Sequence, residues 1–179
     1  LLWARDCTQR VLMGIEVSPS AFASVPPLFV LLWTVLASIV RQPSKAKSRY
    51  TQILIGLLST AAGFALMILA IPPPGQRSSA AWPLACLGLL TIGELFVVPL
   101  TQSLINLLAP RGHAGLSHAL WYAGTALGLF LAGQLGALWG SLAHPIFFAL
   151  LAAAPLAAAA LLSCQRSYLR IALRRTDPL

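Results

Sequence analysis

Apolar residues fall into five long runs, at roughly 20–40, 51–71, 82–108, 115–140 and 145–164, separated by short polar or proline-rich breaks. About 20 apolar residues cross a bilayer as a helix, so each run predicts one membrane span. An all-α fold follows, because a helix satisfies its backbone polar groups within one segment. The breaks have turn chemistry. Arg41-Gln42-Pro43-Ser44-Lys45 ends the first helix. Ile71-Pro72-Pro73-Pro74-Gly75 ends the second, since proline lacks an N–H and restricts its predecessor. Trp82 marks an interface, and Pro83 sits in the first turn of the third helix, where it is tolerated. Ala109-Pro110-Arg111-Gly112 ends that helix. The predicted division is residues 1–19 as a loop, 20–164 as a five-helix transmembrane bundle and 165–179 as a basic tail. No tandem repeat or second soluble domain is visible.

Composition agrees with the pattern. Hydrophobic residues make up 58% of the chain and charged residues 9%, with a mean hydropathy of +0.82. A soluble domain carries about 25% charged residues. The net charge of +8 would suit nucleic acid, but its distribution does not. Nine basic residues lie on one side: Arg41, Lys45, Lys47, Arg49, Arg111, Arg166, Arg170, Arg174 and Arg175. Only Arg5, Arg10 and Arg77 lie on the other. That bias places the C-terminus in the cytoplasm and residue 1 outside. The basic residues do not interleave with aromatics as in single-strand binders, so no nucleic-acid partner is expected. The first residue is not Met and no cleavable signal precedes the spans, so residue 1 is expected to be internal to a longer protein.

Cys7, Cys86 and Cys164 lack metal-ligand spacing, and no metal or cofactor is expected. His113, His118 and His144 are scattered at helix ends and read as interfacial or capping residues. Enzymatic activity is not expected, because no second acid, Ser/Lys pair or His cluster shares the depth of the one carboxylate in the spans.

That carboxylate is Glu94. It lies about 12 residues into the third span, roughly 18 Å deep at 1.5 Å per residue. A charge there costs about 2.5–3.5 kcal/mol on insertion scales, so such residues face a bundle interior or wet cavity and mark ion or substrate paths. The competing reading is a protonated Glu that only hydrogen-bonds a neighbouring helix. Thr91, Gln102 and Asn106 fall near the same face. Pro99 can kink the helix, freeing a carbonyl at Leu95. In the fourth span Gly124, Gly128, Ala132, Gly136 and Gly140 recur every fourth residue, a small-residue stripe that predicts close helix packing. Trp121 lies about 6 residues into that span, roughly 9 Å deep, where it can line a cavity wall or belong to the interface belt.

Several stretches resemble the proton-dependent oligopeptide transporters, a branch of the major facilitator superfamily. Gly14 to Phe29, with its Pro26-Pro27-Leu28-Phe29 end, is similar to that family's outer loop and start of helix 8. Gly93-Glu94-Leu95 with Pro99 resembles helix 10, and Leu108-Ala109-Pro110 its cytoplasmic exit. Leu120-Trp121-Tyr122 with Thr125-Ala126-Leu127-Gly128 and Ala132-Gly133 resembles helix 11. The resemblance runs from the end of helix 7 to the tail after helix 12, making residues 1–19 the outer loop after a missing helix 7. It implies proton-driven symport of small di- and tripeptides in a bacterial inner membrane, with Glu94 and Trp121 at the substrate or proton site. Thr91, Val98 and Gln102 would be candidate cavity-lining residues. The expected partners are peptides, protons, the lipid bilayer and missing N-terminal helices of the same or another chain.

Three positions depart from the family pattern. Pro26 stands where Asn is common, Val98 where Ser is common, and Leu129 where Asn is common. A second reading follows from them: a non-transporting, degenerate membrane protein whose helices pack with a partner.

Overall fold

The computed structural model describes residues 2–8, 11–12, 15–16, 18–39, 49–73, 76–110 and 112–165. The tail expected at 165–179 lies outside them from residue 166 onward, as do all nine basic residues of the charge bias except Arg49. The described residues form helices α1 (Leu2–Asp6), α2 (Val25–Ile39), α3 (Arg49–Leu69), α4 (Ala81–Leu108), α5 (Ala114–Ala137) and α6 (His144–Cys164). A minimal hairpin, β1 (Val11–Leu12) with β2 (Ile15–Glu16), precedes α2.

The chain is an all-α, mostly membrane-spanning bundle. Four helices are long and apolar enough to cross a membrane, namely α3, α4, α5 with its 3₁₀ end at Leu138–Gly140, and α6. The first expected span is different. Residues Pro19–Ser24 form a 3₁₀ turn, capped by the Ser18 side chain accepting from the Ser20 N–H, and α2 itself runs 15 residues. Its Pro26 and Pro27 sit in the first turn, where the missing N–H groups have no helical partner to lose. The other boundaries fall within two residues of those read from hydropathy.

Packing is uneven. Helix α3 lies against α4 and α6, and α2 against α4, where the Phe29 ring covers Gly88. Trp3, Met67, Cys86, Phe147 and Phe148 form a buried cluster at the α1 end of the bundle. A polar knot closes that end. The Trp139 indole donates to Asp6 Oδ2 at 3.0 Å, and Arg5 Nε donates to Asp6 Oδ1 at 2.7 Å. The Cys7 sulfur lies 3.9 Å from His144 Nε2, and the Ser78 N–H donates to the Cys7 carbonyl at 2.7 Å. The Trp3 ring meets His144 and Phe148 edge-on, with centroids 5.6 and 5.4 Å away. Arg5 and the Trp139 indole hold the Asp6 carboxyl below the usual carboxylate range, while burial pushes the Cys7 thiol up.

Helix α5 is the exception, with no buried residue. The turn leading into it uses Gly112 at φ +84°, a left-handed conformation that favours glycine. Near that end His118 Nε2 meets Asn106 Oδ1 at 2.8 Å, tying α5 to α4.

Candidate functional site

Glu94 is exposed, while its neighbour Gly93 is buried. Among the described residues its carboxylate makes no hydrogen bond or ion pair. Gly93 lies in the seam between α3 and α4. A Cβ on Gly93 would overlap Thr60 Oγ1 and sit 2.9 Å from the Gly56 carbonyl oxygen. A Cβ on Gly56 would sit 2.9 Å from Val97 Cγ2 and 3.0 Å from the Gly93 carbonyl oxygen. The two backbones therefore touch, and only glycine fits at either place. One turn away, Ser59 Oγ donates to the Leu89 carbonyl at 2.8 Å.

The other site residues read from sequence divide. Val98, one turn after Glu94, is 42% exposed and shares its open side, and Gln102 is half-buried a turn further on. Thr91 does not share it. It is 1% exposed and donates its hydroxyl to the Leu87 carbonyl at 2.8 Å, so it faces no open cavity among the described residues. Trp121 is half-buried on α5. Helix α4 continues through Pro99, and every buried residue on it (Pro83, Cys86, Gly88, Thr91 and Gly93) precedes that proline.

The stripe on α5 has no partner within the described residues. Added Cβ atoms at Gly124, Gly128, Gly136 and Gly140 would meet nothing within 4 Å, and Ala132 is exposed. The close helix approach within this chain is made instead by Gly56 and Gly93, with Gly63 two turns further along α3. Sequence reading passed over this stripe although its signal was present. Gly56, Ser59, Thr60 and Gly63 are small residues at helical spacing, the pattern of tight membrane-helix contact.

A cavity of about 400 Å³ opens elsewhere in the bundle, among Trp3, Phe22, Met67, Cys86, Phe147 and Leu151. Its lining is apolar and does not include Glu94. Groups of three or more His, Cys, Asp or Glu suited to a metal are absent among the described residues.

The bundle has close counterparts among solved transporters. A POT family transporter in complex with 5-aminolevulinic acid superposes with a TM-score of 0.79 at 21% identity, over 92% of this chain and 35% of that one. A peptide transporter POT in complex with sulfate superposes at 0.77 and 23% identity, over 93% of this chain and 35% of that one. These share the fold, a polytopic helical bundle.

Sequence similarity narrows it. The peptide transporter YePEPT of Yersinia enterocolitica is 35% identical over 147 residues, 75% of this chain and 28% of that protein. Dipeptide and tripeptide permease A of Escherichia coli is 24% identical over 134 residues, 71% of this chain and 27% of that protein. No family model matches. The homology points to the POT family of peptide transporters, and the matches are all transporters with no enzyme among them. The match takes in little more than a quarter of these two relatives' length.

Proposed function

We propose that the chain is the C-terminal part, from the end of helix 7 to helix 12, of a proton-coupled di- and tripeptide symporter of a bacterial inner membrane. The relation to YePEPT over three quarters of the chain carries this reading. Residues 1–19 serve as the outer loop, 20–164 as the bundle and 165–179 as the cytoplasmic tail, an orientation supported by the positive-inside charge bias. Labelling of a cysteine at position 47 by an impermeant maleimide outside intact cells would reverse that orientation.

Glu94 takes up and releases the coupling proton and meets the peptide's ammonium group. Its exposure on a helix long enough to cross the membrane supports the role, because an uncompensated carboxylate there needs water or a cation. The uncovered surface beside it, with Val98 and the half-buried Gln102 and Trp121, is one wall of a cavity. The facing wall comes from the N-terminal helices, as in transporters whose sites form between two repeats. The glycine stripe of α5 packs on those same helices.

Glu94→Gln in the full-length parent tests the coupling role. The amide keeps the shape and removes the titration, and it is cheaper to bury than a charge. Uptake driven by a proton gradient in proteoliposomes is expected to be abolished or strongly reduced, while the protein still folds. Parental rates in Glu94→Gln would remove Glu94 from coupling. A parent that takes up no peptide would favour the degenerate reading, which the apolar Val98 and Leu129 already suggest.

A further inference from the structure

We infer that Gly93 and Gly56 are positioning residues for Glu94: their backbone contact fixes the rotation of α4 that turns the carboxylate to the open side of the bundle. The inference rests on the reading of Glu94 as the proton-exchanging group. Successive helix residues point about 100° apart, since a turn takes 3.6 residues. Whatever presses Gly93 onto α3 therefore also sets where Glu94 points. The seam does this at several successive turns. A Cβ on Gly63 would lie 3.3 Å from both the Cys86 carbonyl oxygen and Leu89 Cβ. Ser59 bonds the Leu89 carbonyl, and Gly56 meets Gly93 and Val97. Along α4 these contacts follow one face at helical spacing.

Gly93 is the last buried residue of α4, and Glu94 is the next in the chain. Its steric limit is firm. The atom a side chain would strike, Thr60 Oγ1, is itself held by donation to the Gly56 carbonyl at 3.1 Å. A methyl group at position 93 must push α4 away from α3 or roll it about its axis. Either movement re-aims position 94. Membrane helices exclude side chains at such contacts for packing alone, so the test needs a readout that packing alone would not move.

The full-length parent, with Cys7, Cys86 and Cys164 replaced, would carry Glu94→Cys and be labelled with a water-soluble thiol reagent. Labelling is expected in that protein, to slow severalfold when Gly93→Ala is added, and to recover in part when Thr60→Ala removes the struck oxygen, the Gly56 carbonyl oxygen still lying 2.9 Å from the added Cβ. Thr60→Ser keeps that oxygen and should not restore it. With Glu94 retained, Gly93→Ala should shift the pH profile of alanyl-alanine uptake and slow gradient-driven uptake more than counterflow. A lesion of packing alone would lower both together at an unchanged pH profile. If Gly93→Ala does not fold, Gly56→Ala presents the milder clash, with Val97 Cγ2 and the Gly93 carbonyl oxygen, and carries the same expectations apart from rescue at Thr60. Unchanged labelling in a folded Gly93→Ala or Gly56→Ala protein overturns the inference. Altered and rescued labelling with an unchanged pH profile leaves positioning standing and removes the proton role of Glu94. No labelling at position 94 in the Gly93 protein overturns both.

Discussion

Helices α4 and α5 are neighbours in sequence, similar in length and both studded with small residues, yet they meet the rest of the chain in opposite ways. Helix α4 touches α3 backbone to backbone at Gly93 and Gly56. Helix α5 has four small residues in line, continued by Gly140 in its 3₁₀ end, and none of them is buried. It is held near its two ends, by His118 on Asn106 and, through the 3₁₀ turn, by Trp139 on Asp6. The same pattern can thus serve an internal seam or a surface awaiting another element. Small residues state that a backbone can come close; they do not state whose.

The largest expected effect separates the two surfaces directly. Gly56→Leu should destabilise this chain and the full-length parent alike, because the seam lies within the chain. Overpacking costs about 1–3 kcal/mol, and a backbone contact belongs at the upper end. Gly128→Leu should leave this chain's thermal unfolding unchanged and destabilise only the full-length parent. If Gly128→Leu and Gly136→Leu both unfold like the full-length parent, α5 turns its glycines to lipid and the contrast becomes one between protein and bilayer.

The smallest effect concerns the pin at the α1 end. The Asp6 carboxyl is held below its ordinary range, first by Arg5 and then by the Trp139 indole. A group whose folded pKa is depressed stabilises the fold above its unfolded pKa, about 3.9 for Asp, and loses that contribution as pH falls through the folded value. Asp6→Asn should therefore lower the melting temperature slightly near neutrality, and the gap should close in acid below the ordinary carboxylate range. A gap that persists unchanged in acid would show that shape alone, not charge, sets the pin. The α3–α4 seam has no such titrating group, so Gly56→Leu should be indifferent to pH over the same interval.

Much of this was legible in the sequence. Spans are written by apolar run length, and four of the five runs are helices long and apolar enough to cross a membrane. The first begins as a 3₁₀ turn at Pro19–Ser24, and its α-helix, starting at Val25, runs only 15 residues. Glu94 stood out because a lone carboxylate among apolar residues has few bland explanations. Its orientation was not legible, since that depends on which face of α4 meets α3. Thr91 was grouped with Glu94 by helical spacing, but a hydroxyl can satisfy itself on its own helix, at the Leu87 carbonyl, and so be buried. The stripe of α3 was hidden by its Ser59 and Thr60, which read as polar residues although they are small enough to act like glycine's neighbours. The knot at the α1 end has no local pattern at all.

That knot has a consequence for how the protein is made. Asp6 meets Trp139 across 133 positions and Cys7 meets His144 across 137. At roughly 5–20 residues per second, a ribosome needs on the order of 7–27 s to cover that interval. Through that time α1 lacks its contacts with Trp139 and His144. Those two contacts form only when the 3₁₀ turn at Trp139 and the start of α6 emerge. The knot therefore closes only once residues 139–144 have been made, and a chain cut short before Trp139 leaves α1 with fewer of its contacts, more open to the cell's proteases.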